Sequence, residues 1–384
     1  MRVLDLTRLL PGPVCTLHLA DMGADVIKVE DTGAGDYARA LGTAPGQVSA
    51  FYRMVNRNKR SLALDLKSSP GRGALLRLAR SADVLIEGFR PGIVDKLGIG
   101  YAAIGALNPC IVYCAITGYG QTGPYCDRAG HDINYLGYAG VLDQTGGDDT
   151  PPALCNLQIA DLLGGALNAA MGILAALFDA KRSGQGRYVD ISMTDGALAH
   201  NIFALHALSA HGRVAARGRD LLSGGVPCYG VYATQDGRYL AVGALEEKFW
   251  QALCAALQRP ELVAKQFATG VAALEVKREL AAIFASKPQA YWVERLAGVD
   301  CCVTPVLSLE ESIADPQIRA RDMVLTAPDG TRQYAPPLKL SNHDFAIARE
   351  APAQGQHSRE VLQECGFSDD EIAQLAASGT IRTN

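Results

Sequence analysis

The segment Gly130-His131-Asp132-Ile133-Asn134-Tyr135 and, later in the chain, Ile159-Ala160-Asp161-Leu162-Leu163-Gly164-Gly165 carry the side chains best suited to moving protons. They place an imidazole and a carboxylate on separate loops, the second at the mouth of an apolar helix. Imidazole titrates near neutrality, and a carboxylate is drawn towards neutrality when burial disfavours its charged form. Two such groups on opposite faces of one carbon can take a proton from one side and return it from the other, the minimum equipment for inverting a stereocentre. Taken singly, each residue has a plainer use: an aspartate at a helix start is a common N-cap, and a lone histidine is more often structural. His18, His200, His206, His211, His343 and His357 lack a comparable context and are read as structural or exposed.

The elements that must hold these residues alternate between strand and helix. Val3 to Leu6, Asp25 to Val29, Leu62 to Leu66, Val84 to Ile86, Cys110 to Cys114 and Arg187 to Met193 read as strands. Cys15 to Met22 and Ala74 to Ala79 read as intervening helices, a βαβ succession that predicts a parallel, doubly wound sheet. The turn after the first strand is Thr-Arg-Leu-Leu-Pro-Gly-Pro. It is not a dinucleotide fingerprint, and no phosphate-loop motif occurs either, which argues against a nicotinamide or ATP enzyme. Asp161 to about Arg182 predicts one long helix, apolar nearly all round and therefore buried. Leu205 to Gly225 reads as an extended connection into a second unit, with strands at Val231 to Ala233 and Tyr239 to Val242 and helices at Lys248 to Leu257 and Leu274 to Ser286.

Composition excludes several classes of function. The chain has 384 residues, 48% hydrophobic and 20% charged, with a formal charge of -4. This is ordinary globular composition without a field to attract nucleic acid or an anionic membrane, so the expected partner is a small molecule. The apolar runs read as too short or too interrupted to span a bilayer. No signal-like segment opens the sequence and no peroxisomal or reticulum address closes it, so a cytoplasmic location is expected. The ten cysteines have no metal-ligand spacing and are read as reduced thiols, with no metal site.

Several blocks together carry a family resemblance. Val3-Leu4-Asp5-Leu6-Thr7 with Pro11-Gly12-Pro13, the run Leu19 to Glu30, Asn58-Lys59-Arg60-Ser61, Asp65-Leu66-Lys67, Glu87-Gly88-Phe89-Arg90-Pro91-Gly92, Thr117-Gly118-Tyr119-Gly120 and Cys302 to Leu307 resemble family III CoA-transferases over essentially the whole chain. Gly130 to Tyr135 and Val242-Gly243-Ala244-Leu245-Glu246 resemble the α-methylacyl-CoA racemase branch. The resemblance implies an α/β fold: a Rossmann-like parallel-sheet large domain over 1–200 with a C-terminal return at 320–384, a linker at 201–225, and a smaller α+β domain at 226–319. It also implies an interlocked homodimer, an acyl-CoA substrate, and no separate cofactor, since CoA is part of the substrate.

What the resemblance implies for the site follows residue by residue. His131 and Asp161 become the acid/base pair for 1,1-proton transfer at C2 of a 2-methylacyl thioester, with Glu246 orienting His131; the adjacent Glu247 is an alternative partner. Burial must raise the Asp161 pKa for this work, and the helix start is expected to aim N-H donors at the thioester oxygen. Arg90 and Asp132 resemble residues that shape the active site. Lys67, Phe89 and Lys96 match positions that hold CoA. Arg57, Lys59 and Arg60 form a local basic cluster whose expected use is a phosphate site. After Lys28-Val29-Glu30 the family often has an arginine that meets CoA, and this chain has Asp31. Two other readings remain: a CoA-transferase with Asp161 as nucleophile, and a non-catalytic CoA-binding protein.

Overall fold

The computed structural model describes residues 1–44 and 47–383. Two compact units divide the chain: the first comprises Met1–Ala139, Asn156–His200 and Ile318–Asn384, the second Gly140–Cys155 and Asn201–Gln317.

The first unit is built on a seven-stranded sheet. Its strands are β1 (Arg2–Asp5), β2 (Asp25–Glu30), β3 (Lys59–Leu64), β4 (Val84–Glu87), β5 (Val112–Thr117) and β6 (Tyr188–Ser192), closed at one edge by Ile381–Arg382. The spatial order is Ile381–Arg382, β3, β2, β1, β4, β5, β6. β1 to β6 pair in parallel, and only the C-terminal strand runs antiparallel, against β3. This is the doubly wound order in which the chain reverses direction between β1 and β4. One face packs on the Ser69–Ala79 helix, the Tyr101–Leu107 helix and the helices Ser358–Glu364 and Asp369–Ala377, through Leu4, Ile27, Leu62, Leu75, Val361 and Ile372. The helices Pro11–Asp21 and Asn168–Ser183 also pack on the sheet. Burial on both faces is why β3 and β5 are buried along their whole length.

Two elements of this unit differ from the sequence expectation. β3 begins at Lys59, ahead of the apolar run, because Lys59 and Arg60 are buried in ion pairs that a hydrophobic pattern cannot reveal. The long helix is not one α-helix: Ala160–Leu167 is a π-helix and Asn168–Ser183 continues as α-helix. Nor is it buried all round. Ala169, Ala170, Ile173, Ala176 and Ala180 face the core, whereas Met171 and Phe178 are 66% and 67% exposed. By length and composition, Ala160–Ser183 could cross a membrane, contrary to the expectation from apolar runs. Its packing on β5, β6 and the Pro11–Asp21 helix is that of a core helix.

The second unit carries a sheet of β7 (Tyr229–Ala233), β8 (Tyr239–Gly243) and β9 (Val303–Pro305), antiparallel throughout. Its core gathers Trp250, Leu253, Leu280, Phe284 and Trp292 from three helices. Residues 201–225, expected as an extended linker, belong to this unit and include the helix Ile202–His211. All ten cysteines are free thiols.

Candidate active site

In a doubly wound sheet, ligands collect beyond the carboxyl ends of the strands where the winding reverses. A cleft of about 720 Å³ lies at that point in the first unit. Its walls are the loop after β1 (Thr7 to Gly12), the loop after β4 (Gly88 to Pro91), the end of β5 with Gly118, and the segment Arg128 to His131 with Tyr135. Three guanidinium groups, Arg8, Arg90 and Arg128, line it with His131, and among the described residues no carboxylate does. In a chain of net negative charge this gives the cleft a locally positive character. The β4 loop is fastened from below: buried Glu87 accepts the Phe89 N-H at 2.7 Å. Burial pushes the Glu87 carboxyl up to about 7.

His131 precedes the helix Asp132–Tyr138 and is exposed. Its own N-H is held by Asn134 Oδ1 at 3.0 Å. Behind it, the Tyr135 hydroxyl donates to the Gly130 carbonyl at 2.5 Å, and a Cβ on Gly130 would lie 2.6 Å from the Tyr135 ring. Only glycine lets the backbone pass so close to that ring, so the loop is fixed one residue before the imidazole.

Asp161 lies in the first turn of the π-helix, whose N-cap is Ile159. Its N-H donates to Asp132 Oδ1 at 3.0 Å, tying the two segments together. Burial pushes the Asp161 carboxyl up to about 6; the Asp132 carboxylate adds to the rise and His131 opposes it. A carboxyl near 6 exchanges protons readily at neutral pH. One of the helix-start donors expected to face the thioester, the Asp161 N-H, is taken instead by Asp132. The π-helix is seated by close packing: a Cβ on Gly164 would lie 2.5 Å from the Met193 carbonyl oxygen. A wide turn of this kind is rare and frequently sits at a functional site.

The other expected residues separate into three groups. Phe89 and Arg90 line the cleft. Lys67 and Lys96 are exposed and do not line it. Arg57 and Arg60 correct the expectation of a phosphate cluster. Arg57 pairs with Asp21 through Nε (3.2 Å) and Nη2 (2.7 Å), and its Nη1 meets Gln333. Arg60 binds Asp25, Glu360 and Glu364. Lys59 is fully buried against Asp5. Arg57 and Lys59 neutralise the buried Asp21 and Asp5, Arg60 is itself buried beneath partly exposed carboxylates, and opening any of these pairs would strand a buried charge. Glu246 belongs to the second unit, at the N-cap of the helix Glu247–Ala256. Glu247 binds Gln251 at 2.8 Å. Among the described residues, no group of three or more His, Cys, Asp or Glu is placed to hold a metal ion.

Residues 1–358 match the model of CoA-transferase family III. The chain belongs to this family. The chain is 37% identical to human alpha-methylacyl-CoA racemase over 100% of its own length and 97% of the human chain. It is 33% identical to mouse succinyl-CoA:glutarate CoA-transferase, covering 99% of this chain and 89% of the mouse one. A crystal structure of a CAIB/BAIF family protein from Brucella suis superposes with a TM-score of 0.82 at 30% identity, covering 95% of this chain and 98% of that one.

Two cleft residues of this family III chain, Arg8 and Arg128, carry no local motif and were not singled out from sequence. Arg8 sits on the β1 loop, and Arg128 stacks over the Tyr125 ring at 3.8 Å and donates to the Tyr138 hydroxyl at 2.8 Å. The signal for Arg8 was its place: any polar residue just beyond β1 of such a sheet faces the winding reversal.

Proposed function

We propose that the chain is a racemase of 2-methylacyl-CoA thioesters, with His131 and Asp161 as its acid/base pair. The observation that carries this reading is the tie between Asp132 and Asp161, which brings the histidine segment to a carboxyl raised to about 6. One group takes the C2 hydrogen as a proton, the electron pair moves to the thioester oxygen as an enolate, and the other group returns a proton to the opposite face. Nothing is gained or lost overall. The cleft's three arginines suit the phosphates of CoA, with Phe89 as an apolar wall beside them. Identity with the human racemase supports the choice of reaction. In this reading Glu246 orients His131, the CoA portion of the substrate is the only cofactor-like group, and the protein works as a homodimer that covers the exposed Leu167, Met171, Leu174 and Phe178.

Transfer of CoA between acids is the second reading, favoured by the identity with a glutarate CoA-transferase. There Asp161 attacks the thioester carbonyl, forms a mixed anhydride and releases the thiolate. The test is incubation of a 2-methylacyl-CoA in heavy water without any acceptor acid, followed by hydroxylamine and mass spectrometry of the peptide carrying Asp161. The racemase reading expects deuterium at C2 and an unmodified peptide. A hydroxamate on Asp161 formed in step with turnover would replace it with transfer.

A further inference from the structure

We propose that Arg8 is a binding residue for a phosphate of the CoA moiety, delivered to the cleft by a buried ion network and held ready by Asp31 and Tyr37. This rests on the acyl-CoA reading above.

The backbone on either side of Arg8 has no freedom. Asp5 accepts the Thr7 N-H at 2.9 Å and the Thr7 hydroxyl at 2.5 Å. Lys28 donates to the Thr7 carbonyl at 3.0 Å and pairs with Asp36 at 2.7 Å. The other Asp36 oxygen takes the Leu9 N-H at 3.0 Å. Lys59 lies 3.4 Å from Asp5, and the side chains of Asp5, Lys28, Asp36 and Lys59 have no solvent exposure. Leu9 is held at φ 64°, a left-handed conformation that a leucine adopts only where its surroundings impose it. Strain of this kind gathers at ligand sites, and here it flanks the one residue between two clamped peptides.

The Arg8 side chain is oriented but not spent. Its Nη1 donates to the Tyr37 hydroxyl at 3.1 Å, its Nη2 to Asp31 Oδ2 at 3.2 Å, and the guanidinium lies 5.2 Å from the Tyr37 ring centre. Arg8 and Tyr37 both line the cleft. A guanidinium has five N-H donors, and these two bonds use two of them. The pair with Asp31 is also a weak one. Its side chains are 33% and 41% exposed, and the other Asp31 oxygen is anchored by the Gly33 and Gly35 N-H groups at 2.9 and 3.1 Å. Asp31 therefore cannot turn to offer Arg8 a second bond. A phosphate can, because its oxygens match the guanidinium fork.

Calorimetric titration with CoA, dephospho-CoA and a phosphate-free acyl-pantetheine tests this on wild type, R8Q and D31N. R8Q is expected to weaken CoA about tenfold or more, the scale of a lost charged hydrogen bond, and to leave the pantetheine compound unchanged. D31N, which keeps the guanidinium and an amide oxygen to hold it while removing the competing charge, is expected to bind CoA at least as tightly as wild type. If the R8Q penalty persists with dephospho-CoA, the contact is to the diphosphate; if it vanishes, it is to the 3′-phosphate; either supports the proposal. R8Q binding CoA like wild type, R8Q losing equally on acyl-pantetheine, or D31N as weak as R8Q overturns it. A wild-type protein that binds no CoA overturns the acyl-CoA reading itself.

Discussion

Replacing Asp161 by asparagine is expected to stabilise the protein at neutral pH while ending turnover. The Asp161 carboxyl stands at about 6 in the folded protein against 3.8 ordinarily, with burial as the main cause. Between those values the folded chain keeps a proton that the unfolded chain has released. Stability therefore falls as pH rises through that window, and the full loss is present above it. A displacement of about two units corresponds to about 3 kcal/mol. That is an upper bound, because Asp161 is only partly buried and water screens the effect; a gain of about 1–2 kcal/mol is expected after this discount. Asparagine has no such titration, so its advantage should be near zero around pH 4 and full by about pH 7.5. Urea denaturation of the full-length proteins at both pH values measures it. Far-UV circular dichroism is the proper probe, since Trp250 and Trp292 both lie in the second unit. Equal stability at both pH values, or a gain as large in acid as at neutrality, would refute the argument that burial strains this carboxyl.

Asp132→Asn removes the anion that helps raise Asp161 yet leaves an amide oxygen to accept the Asp161 N-H; the acid limb of the C2-exchange profile should move to lower pH. His131→Ala and Asp161→Ala should each abolish racemisation while retaining α-hydrogen exchange on one enantiomer, read by chiral analysis and deuterium uptake; near wild-type racemisation in both would end the two-base assignment. Gly164→Ala forces a methyl group to 2.5 Å from the Met193 carbonyl and should cost about 1–3 kcal/mol, visible as a lower thermal midpoint. Phe178→Glu places a charge on the exposed apolar face and should yield monomers by light scattering if that face is an interface between copies.

Much of the first unit was legible because a sheet buried on both faces writes its strands as Val, Ile and Leu runs, as in Val84–Glu87. Legibility failed where charge replaced apolar character. Lys59 and Arg60 read as a phosphate-binding cluster, since their partners Asp5, Asp25 and Glu364 are far away in sequence. The helix Ile202–His211 was hidden by the glycines and arginines that follow it, which made the whole stretch read as a connection. At the site, His131 and Asp161 stood out by residue type. The bond that joins their segments spans 29 residues and leaves no local mark. The orientation of Arg8 left no local mark either, as it depends on Lys28, Asp31 and Asp36, which all lie on β2 and the loop after it, twenty or more residues away in sequence.

The π-helix at Ala160–Leu167 makes this chain sensitive to length in an unusual way. A wide turn holds more residues than an α-turn, so removing one residue from it would leave an ordinary, intrinsically sounder helix. The same deletion would swing everything upstream by roughly 100° about the axis, the angle one residue occupies in an α-helix. Asp161 would lose its bond to Asp132, while Asn168–Ser183 kept its packing. Repair of the backbone irregularity and loss of the proposed proton transfer are thus one event, and sequence drift at this segment should tolerate exchanges of side chain far better than changes in count.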